Sequence, residues 1–112
     1  MYEGIEREQL EEKLAKGDDF ALVEVLDPEE YRDAHIKGAV NIPLEEIGKE
    51  AKKRFSPGDE IVVYCASSSC AASPAAAKKL DRLGFNNVYD YEEGKEGWLK
   101  AGNETVSGED PE

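Results

Sequence analysis

Apolar residues fall into blocks whose spacing switches between the helical and the extended period. After an isolated Ile5, the stretch Glu6 to Lys16 places Leu10 and Leu14 on one helical face, with Gly17 just beyond as a stop. Phe20 to Leu26 is almost continuously apolar and reads as a strand covered on both faces. Asp27-Pro28 breaks it, and Glu29 to Ala34 allows a turn and a half of helix. Ala39 to Ile42 is a short strand between Gly38 and Pro43. Leu44, Ile47, Ala51 and Phe55 lie at helical intervals, and Ser56 to Asp59 form a turn. Ile61-Val62-Val63-Tyr64 is the most strongly β-branched run and predicts a central strand ending at Cys65.

The small residues Ala66, Ser67, Ser68, Ser69 and Cys70 follow as a loop. Ala72, Ala76, Leu80 and Leu83 then define a third helix face that stops at Gly84. Pro74 fits only the first turn of that helix, where its missing N–H has no intrahelical partner, so the helix begins between Cys70 and Ser73. Asn87 to Tyr91 reads as a strand and Lys95 to Lys100 as a short helix carrying Trp98. From Gly102 on the chain is polar and acidic. These boundaries predict one domain over residues 1–101 and a flexible acidic tail over 102–112. Strands alternating with helices predict an α/β fold, a mostly parallel sheet with helices on both faces.

Composition narrows the partners. Fourteen basic residues face 26 acidic ones, a net charge of −12. A nucleic acid or an anionic membrane surface is then an unfavourable partner, because both attract basic faces. No apolar run approaches the roughly 20 residues of a membrane span, and the first residues lack the basic and apolar regions of a signal peptide. Two cysteines make no disulfide framework, so the expected location is cytoplasmic. Two cysteines and one distant histidine also fall short of the usual structural zinc set, and neither metal nor cofactor is expected.

The candidate chemistry lies where the central strand hands over to a helix, since sites in open α/β sheets form at the carboxyl ends of strands. There, loop amides and the helix dipole favour a thiolate at Cys65, and the thiolate is the nucleophile. Residues Ala66, Ser67, Ser68, Ser69, Cys70 and Ala71 are the expected anion-binding loop, with Cys70 a second thiol five positions on. Alternatively, Cys65 is a small hydrophobe at a strand end and Cys70 packs at the helix start. Tyr64, on the opposite side of its strand from Cys65, is expected in the core, as is Trp98. His35 is expected to be a structural hydrogen-bonder; Glu24 either hydrogen-bonds loop amides from a neighbouring strand end or simply ends its strand as a polar residue.

Several segments together resemble the single-domain sulfurtransferases of the rhodanese-like family. They are Leu22-Val23-Glu24-Val25-Leu26-Asp27-Pro28, His35-Ile36-Lys37-Gly38-Ala39-Val40-Asn41-Ile42-Pro43, Val62-Val63-Tyr64-Cys65, Leu83-Gly84-Phe85, and Glu93-Gly94 ahead of Trp98. The resemblance implies a five-stranded parallel sheet wrapped by helices. It also implies Cys65 as catalytic residue, carrying sulfane sulfur as a persulfide from thiosulfate, a persulfide or a polysulfide to a thiol or cyanide. A sulfur-carrier protein fits as partner and a monomer or weak dimer as state.

The chain departs from the family pattern where charge is concerned. The loop 66–70 holds no Arg or Lys, which removes a charge-assisted contact of ~1.5–3 kcal/mol to an anionic donor. The usual Asp-Val-Arg appears as Glu24-Val25-Leu26, so that arginine's ion pair is expected to be lost. Two rival readings follow: a catalytically silent interaction module of the same fold, and a cysteine phosphatase or arsenate reductase. The second lacks its clamp, because Ala71 occupies the position where such enzymes place an arginine.

Overall fold

Capping chemistry sets the helix limits. The computed structural model describes residues 2–111, so Met1 and Glu112, the outer ends of the expected domain and tail, lie outside the described residues. After a two-residue strand β1 (Glu3–Gly4), helix α1 spans Arg7–Lys16. The Glu6 N–H donates to the Gln9 side chain at 2.8 Å at its start. At its end Gly17 takes φ 71°, and the N–H groups of Gly17 and Asp18 return to Leu14 and Lys13. Strand β2 (Ala21–Glu24) leads to α2 (Pro28–Asp33), whose first residue is the proline that fits there. Strands β3 (His35–Ile36) and β4 (Val40–Asn41), a 3-10 turn (Leu44–Glu46), α3 (Ile47–Arg54) and β5 (Glu60–Tyr64) follow. Helix α4 covers Ala72–Arg82 with Pro74 in its first turn, as expected. Strand β6 (Asn87–Tyr91), α5 (Gly94–Lys100) and β7 (Thr105–Val106) complete the chain.

The main sheet has five parallel strands in the order β1-β6-β5-β2-β4, with β5 in the middle. The period-two alternation of β5 divides the core into two layers. Ile61, Val63 and Cys65 face α3 and α4, packing with Val23, Val25, Ile47, Ala76 and Leu80. Val62 and Tyr64 face the other way, with Leu10, Leu22, Tyr31, Ile36, Tyr91 and Trp98. Each fully buried aliphatic side chain contributes about 1.5–3 kcal/mol, so both layers hold the sheet.

Two features differ from the sequence expectations. Strand β1 was not expected, because Glu3 and Gly4 carry no strand signal; it forms because the exposed edge of β6 is there to pair with. The stretch expected as a tail folds back instead. Strand β7 pairs antiparallel with β3 (His35 opposite Val106), the Gly108 N–H donates to Arg32 O, and the Gly38 N–H donates to Pro111 O. These contacts use backbone groups, which a polar composition does not advertise.

Candidate functional site

Strand β5 delivers Cys65 to the carboxyl edge of the sheet, and α5 fixes it from behind. The Lys95 N–H donates to Cys65 O at 2.9 Å, and the Glu96 N–H to Ala66 O at 2.8 Å. This approach needs glycine at 94. Its φ is +66°, and a Cβ there would lie 2.5 Å from Cys65 O and 2.8 Å from Ser67 N. The far end of the loop closes in a turn: the Cys70 N–H donates to Ser67 O at 3.1 Å, and the Ser67 and Ser69 hydroxyls lie 3.0 Å apart. Ala71 then precedes the first residue of α4.

That turn brings the two thiols together. Cys65 and Cys70 form a disulfide, with their Cα atoms 6.4 Å apart. Cys65 is fully buried within the α3/α4 layer and Cys70 is half-buried above it. The structure thus holds the loop in its disulfide form. Among the described residues no hydrogen bond ends on the Cys65 sulfur, and the Cys70 amide is used to close the turn. In this state a covalent partner and aliphatic neighbours hold the sulfur.

On the opposite face, directly under the loop, lies a polar network that sequence reasoning missed. Glu24 is fully buried at the end of β2. The Tyr64 hydroxyl donates to Glu24 Oε1 at 2.8 Å, and Lys95 Nζ pairs with Oε2 at 3.1 Å. Lys95 Nζ also donates to Ala34 O at 2.6 Å and Glu30 O at 3.1 Å, while the Ile36 N–H donates to the Tyr64 oxygen. Burial pushes the Glu24 carboxyl above the usual carboxylate range; the Tyr64 hydrogen bond and the Lys95 charge pull it partly back. Glu24 therefore does not simply end its strand polar; it forms a buried ion pair with Lys95 of α5. Lys95 links the two parts of the site, its amide holding Cys65 and its ammonium holding Glu24.

The other singled-out residues lie in the structural parts of the molecule. His35 is buried and stacked on Tyr31, with Nδ1 2.8 Å from Tyr31 O and Nε2 2.8 Å from Asp110 O. Trp98 packs edge-on to Tyr91, and its Nε1–H donates to Glu104 O at 3.1 Å. Beside Ala66 opens a cleft of about 400 Å³ lined by Glu30, Asp33, Ala34, Lys95, Glu96 and Leu99. Its charge is acidic, because the one cation, Lys95, is already paired with Glu24. A larger cavity of about 510 Å³ near Phe20, Phe55 and Asp59 lies at the amino ends of the strands, away from the cysteines. Among the described residues no cluster of three or more His, Cys, Asp or Glu assembles to hold a metal, and no helix is long and apolar enough to cross a membrane.

A five-stranded parallel α/β domain with a cysteine at the end of its central strand, before a helix, defines a class, and comparison with known proteins names it. The rhodanese-like domain family matches residues 6–101, and the chain belongs to that family. It is 33% identical over 94 residues to the putative sulfur carrier protein YrkF of Bacillus subtilis, covering 84% of this chain and 49% of YrkF. It is 35% identical over 71 residues to the thiosulfate sulfurtransferase PspE of Escherichia coli, covering 59% of this chain and 62% of PspE. The chain thus spans less than two thirds of either relative's length. The crystal structure of the BH2092 protein from Bacillus halodurans superposes with a TM-score of 0.86 at 31% identity, covering 93% of this chain and 76% of that one. The chain is therefore a rhodanese-like domain with sulfurtransferases among its relatives.

Proposed function

We propose that this domain is a sulfurtransferase that carries sulfane sulfur as a persulfide on Cys65. The observation that carries this reading is the place of Cys65. It stands at the carboxyl end of the central strand, its carbonyl held by α5, in a loop of small residues that leads into α4. With both thiols reduced, the Cys65 thiolate attacks the outer sulfur of a donor R–S–SH. The new S–S bond forms as R–S⁻ leaves, and the proton stays on the transferred sulfur. A thiol or cyanide then attacks that outer sulfur and returns Cys65 to the thiolate. The loop residues 66–71 are the proposed binding loop. Its lack of cations, the acidic cleft beside Ala66 and the net charge of −12 favour a persulfide or polysulfide donor over thiosulfate.

One observation favours a second reading, a silent interaction module: Cys65 is fully buried and capped by Cys70. Intact mass spectrometry separates the two. Reduced Cys70→Ser protein incubated with glutathione persulfide, and separately with thiosulfate, is expected to gain about 32 Da, and the variant that also carries Cys65→Ser to gain nothing. Equal sulfur delivery to cyanide by wild type and Cys65→Ser leaves the silent module as the answer.

A further inference from the structure

We infer that Cys70 is a resolving thiol that turns the sulfur held on Cys65 into free sulfide, giving the domain a second, sulfide-releasing activity. This inference rests on the Cys65 persulfide proposed above. It is carried by the juxtaposition of the only two cysteines of the chain in one short loop, closed into a disulfide.

Three features of the loop suit the step. A Cα separation of 6.4 Å lies within the span that a disulfide bridges without backbone movement, so Cys70 reaches the Cys65 sulfur from where it stands. The two ends of the loop are held differently. Cys65 and Ala66 are clamped through their carbonyls to α5, whereas residues 67–70 are closed by one amide and a pair of hydroxyls. The electrophile is thus clamped to α5, while the nucleophile sits in a segment closed within the loop itself. Cys70 also stands just ahead of the eleven-residue helix α4, where helix N-terminal potential favours its thiolate.

The chemistry balances without an outside oxidant. The Cys70 thiolate attacks the inner sulfur of Cys65–S–SH. A bond forms between the two cysteine sulfurs and the bond to the outer sulfur breaks. That sulfur leaves as HS⁻, keeping its proton and the electron pair of the broken bond. Cys70 is oxidised and the sulfane sulfur is reduced to sulfide. The product on the protein is the disulfide found in the structure. An external dithiol completes the cycle. It meets the half-buried Cys70 before the fully buried Cys65, expels the Cys65 thiolate and leaves as its own cyclic disulfide. Donor persulfide plus dithiol thus yields donor thiol, sulfide and oxidised dithiol. Where acceptors for the persulfide are scarce, the second thiol diverts the cargo from transfer to release.

The test uses the full chain, reduced and freed of reductant under anaerobic conditions, then given stoichiometric glutathione persulfide. Free sulfide above the protein-free control and intact mass are both read. Wild type is expected to release sulfide equal to the protein and to lose about 2 Da as the 65–70 disulfide forms. Cys70→Ser and Cys70→Ala, each checked for its circular dichroism, are expected to release at least tenfold less and to hold a gain of about 32 Da. The inference is overturned if wild type keeps the added sulfur without releasing sulfide, or if either variant releases it as wild type does. A different result, no sulfur bound by wild type or by either folded variant, overturns the Cys65 persulfide itself and this inference with it.

Discussion

Among the described residues each face of the sheet buries one carboxylate, and the two are treated in opposite ways. Glu24 lies on the α1/α5 face with a hydroxyl donor and an ammonium on its two oxygens. Asp90 lies on the same face of β6 as Val88, in the aliphatic layer that holds Cys65, and is equally buried. Neither Asp90 oxygen meets a donor in good hydrogen-bond geometry, although Ser73 is near enough to draw its pKa part of the way back from the rise that burial causes. A satisfied buried charge ties elements together, while an unsatisfied one weakens the layer it occupies. The tied elements here are β2, β5 and α5, the ones that place Cys65.

The strongest way to break that contrast is to remove the cation. Lys95→Met leaves Glu24 buried with no counter-charge, and loss of one partner of a buried pair costs about 3–5 kcal/mol. A urea midpoint near that of wild type would show that Glu24 is not held by Lys95. Adding Glu24→Gln to the same variant removes the stranded charge and is expected to recover part of the loss. Recovery distinguishes an electrostatic tie from simple packing by the lysine stem.

Gly94→Ala is expected to have a smaller effect on stability and a larger one on chemistry. A side chain at φ +66° costs about 1–3 kcal/mol, and its Cβ would press on the carbonyl of Cys65 and the amide of Ser67. The loop must shift to make room. Sulfur loading from glutathione persulfide is therefore expected to fall by about tenfold or more, beyond the loss of folded protein. Unchanged loading per folded molecule would mean that the clamp from α5 does not position Cys65.

How much of this was legible depended on how local each signal is. The alternation of Ile61 to Tyr64 assigns Cys65 and Tyr64 to opposite faces, and Pro74 locates the start of α4; both rest on neighbouring residues. The motif segments and the short loop with its two cysteines were readable for the same reason. The partner of Glu24 was not, because Lys95 is 71 residues away and reaches it only after α5 has packed. The docking of residues 105–111 was hidden because backbone groups perform it. Asp90 was hidden because its burial comes from the helices packed over β6, which the residues of the strand itself do not encode.

Asp90→Asn is the smallest change and of opposite sign. Burial raises the Asp90 carboxyl above its ordinary 3.8, with Ser73 opposing and Glu92 adding to the rise. A group whose pKa is higher folded than unfolded binds protons more tightly in the folded state. Its contribution to stability is fully present below the unfolded value and is lost as pH rises through the folded one. As pH rises through the folded value the wild type comes to carry an ionised carboxylate among aliphatic side chains, whereas the amide carries no charge at any pH. Asp90→Asn is expected to be more stable than wild type at neutral pH, with the difference shrinking as the pH is lowered toward the unfolded carboxylate range. Because Glu24 is common to both proteins, its own raised pKa cancels from the comparison. Paired urea titrations over that interval check it. A difference that stays constant with pH, or a less stable variant at neutrality, would mean that Asp90 is satisfied after all and that the two faces of the sheet handle their charges alike.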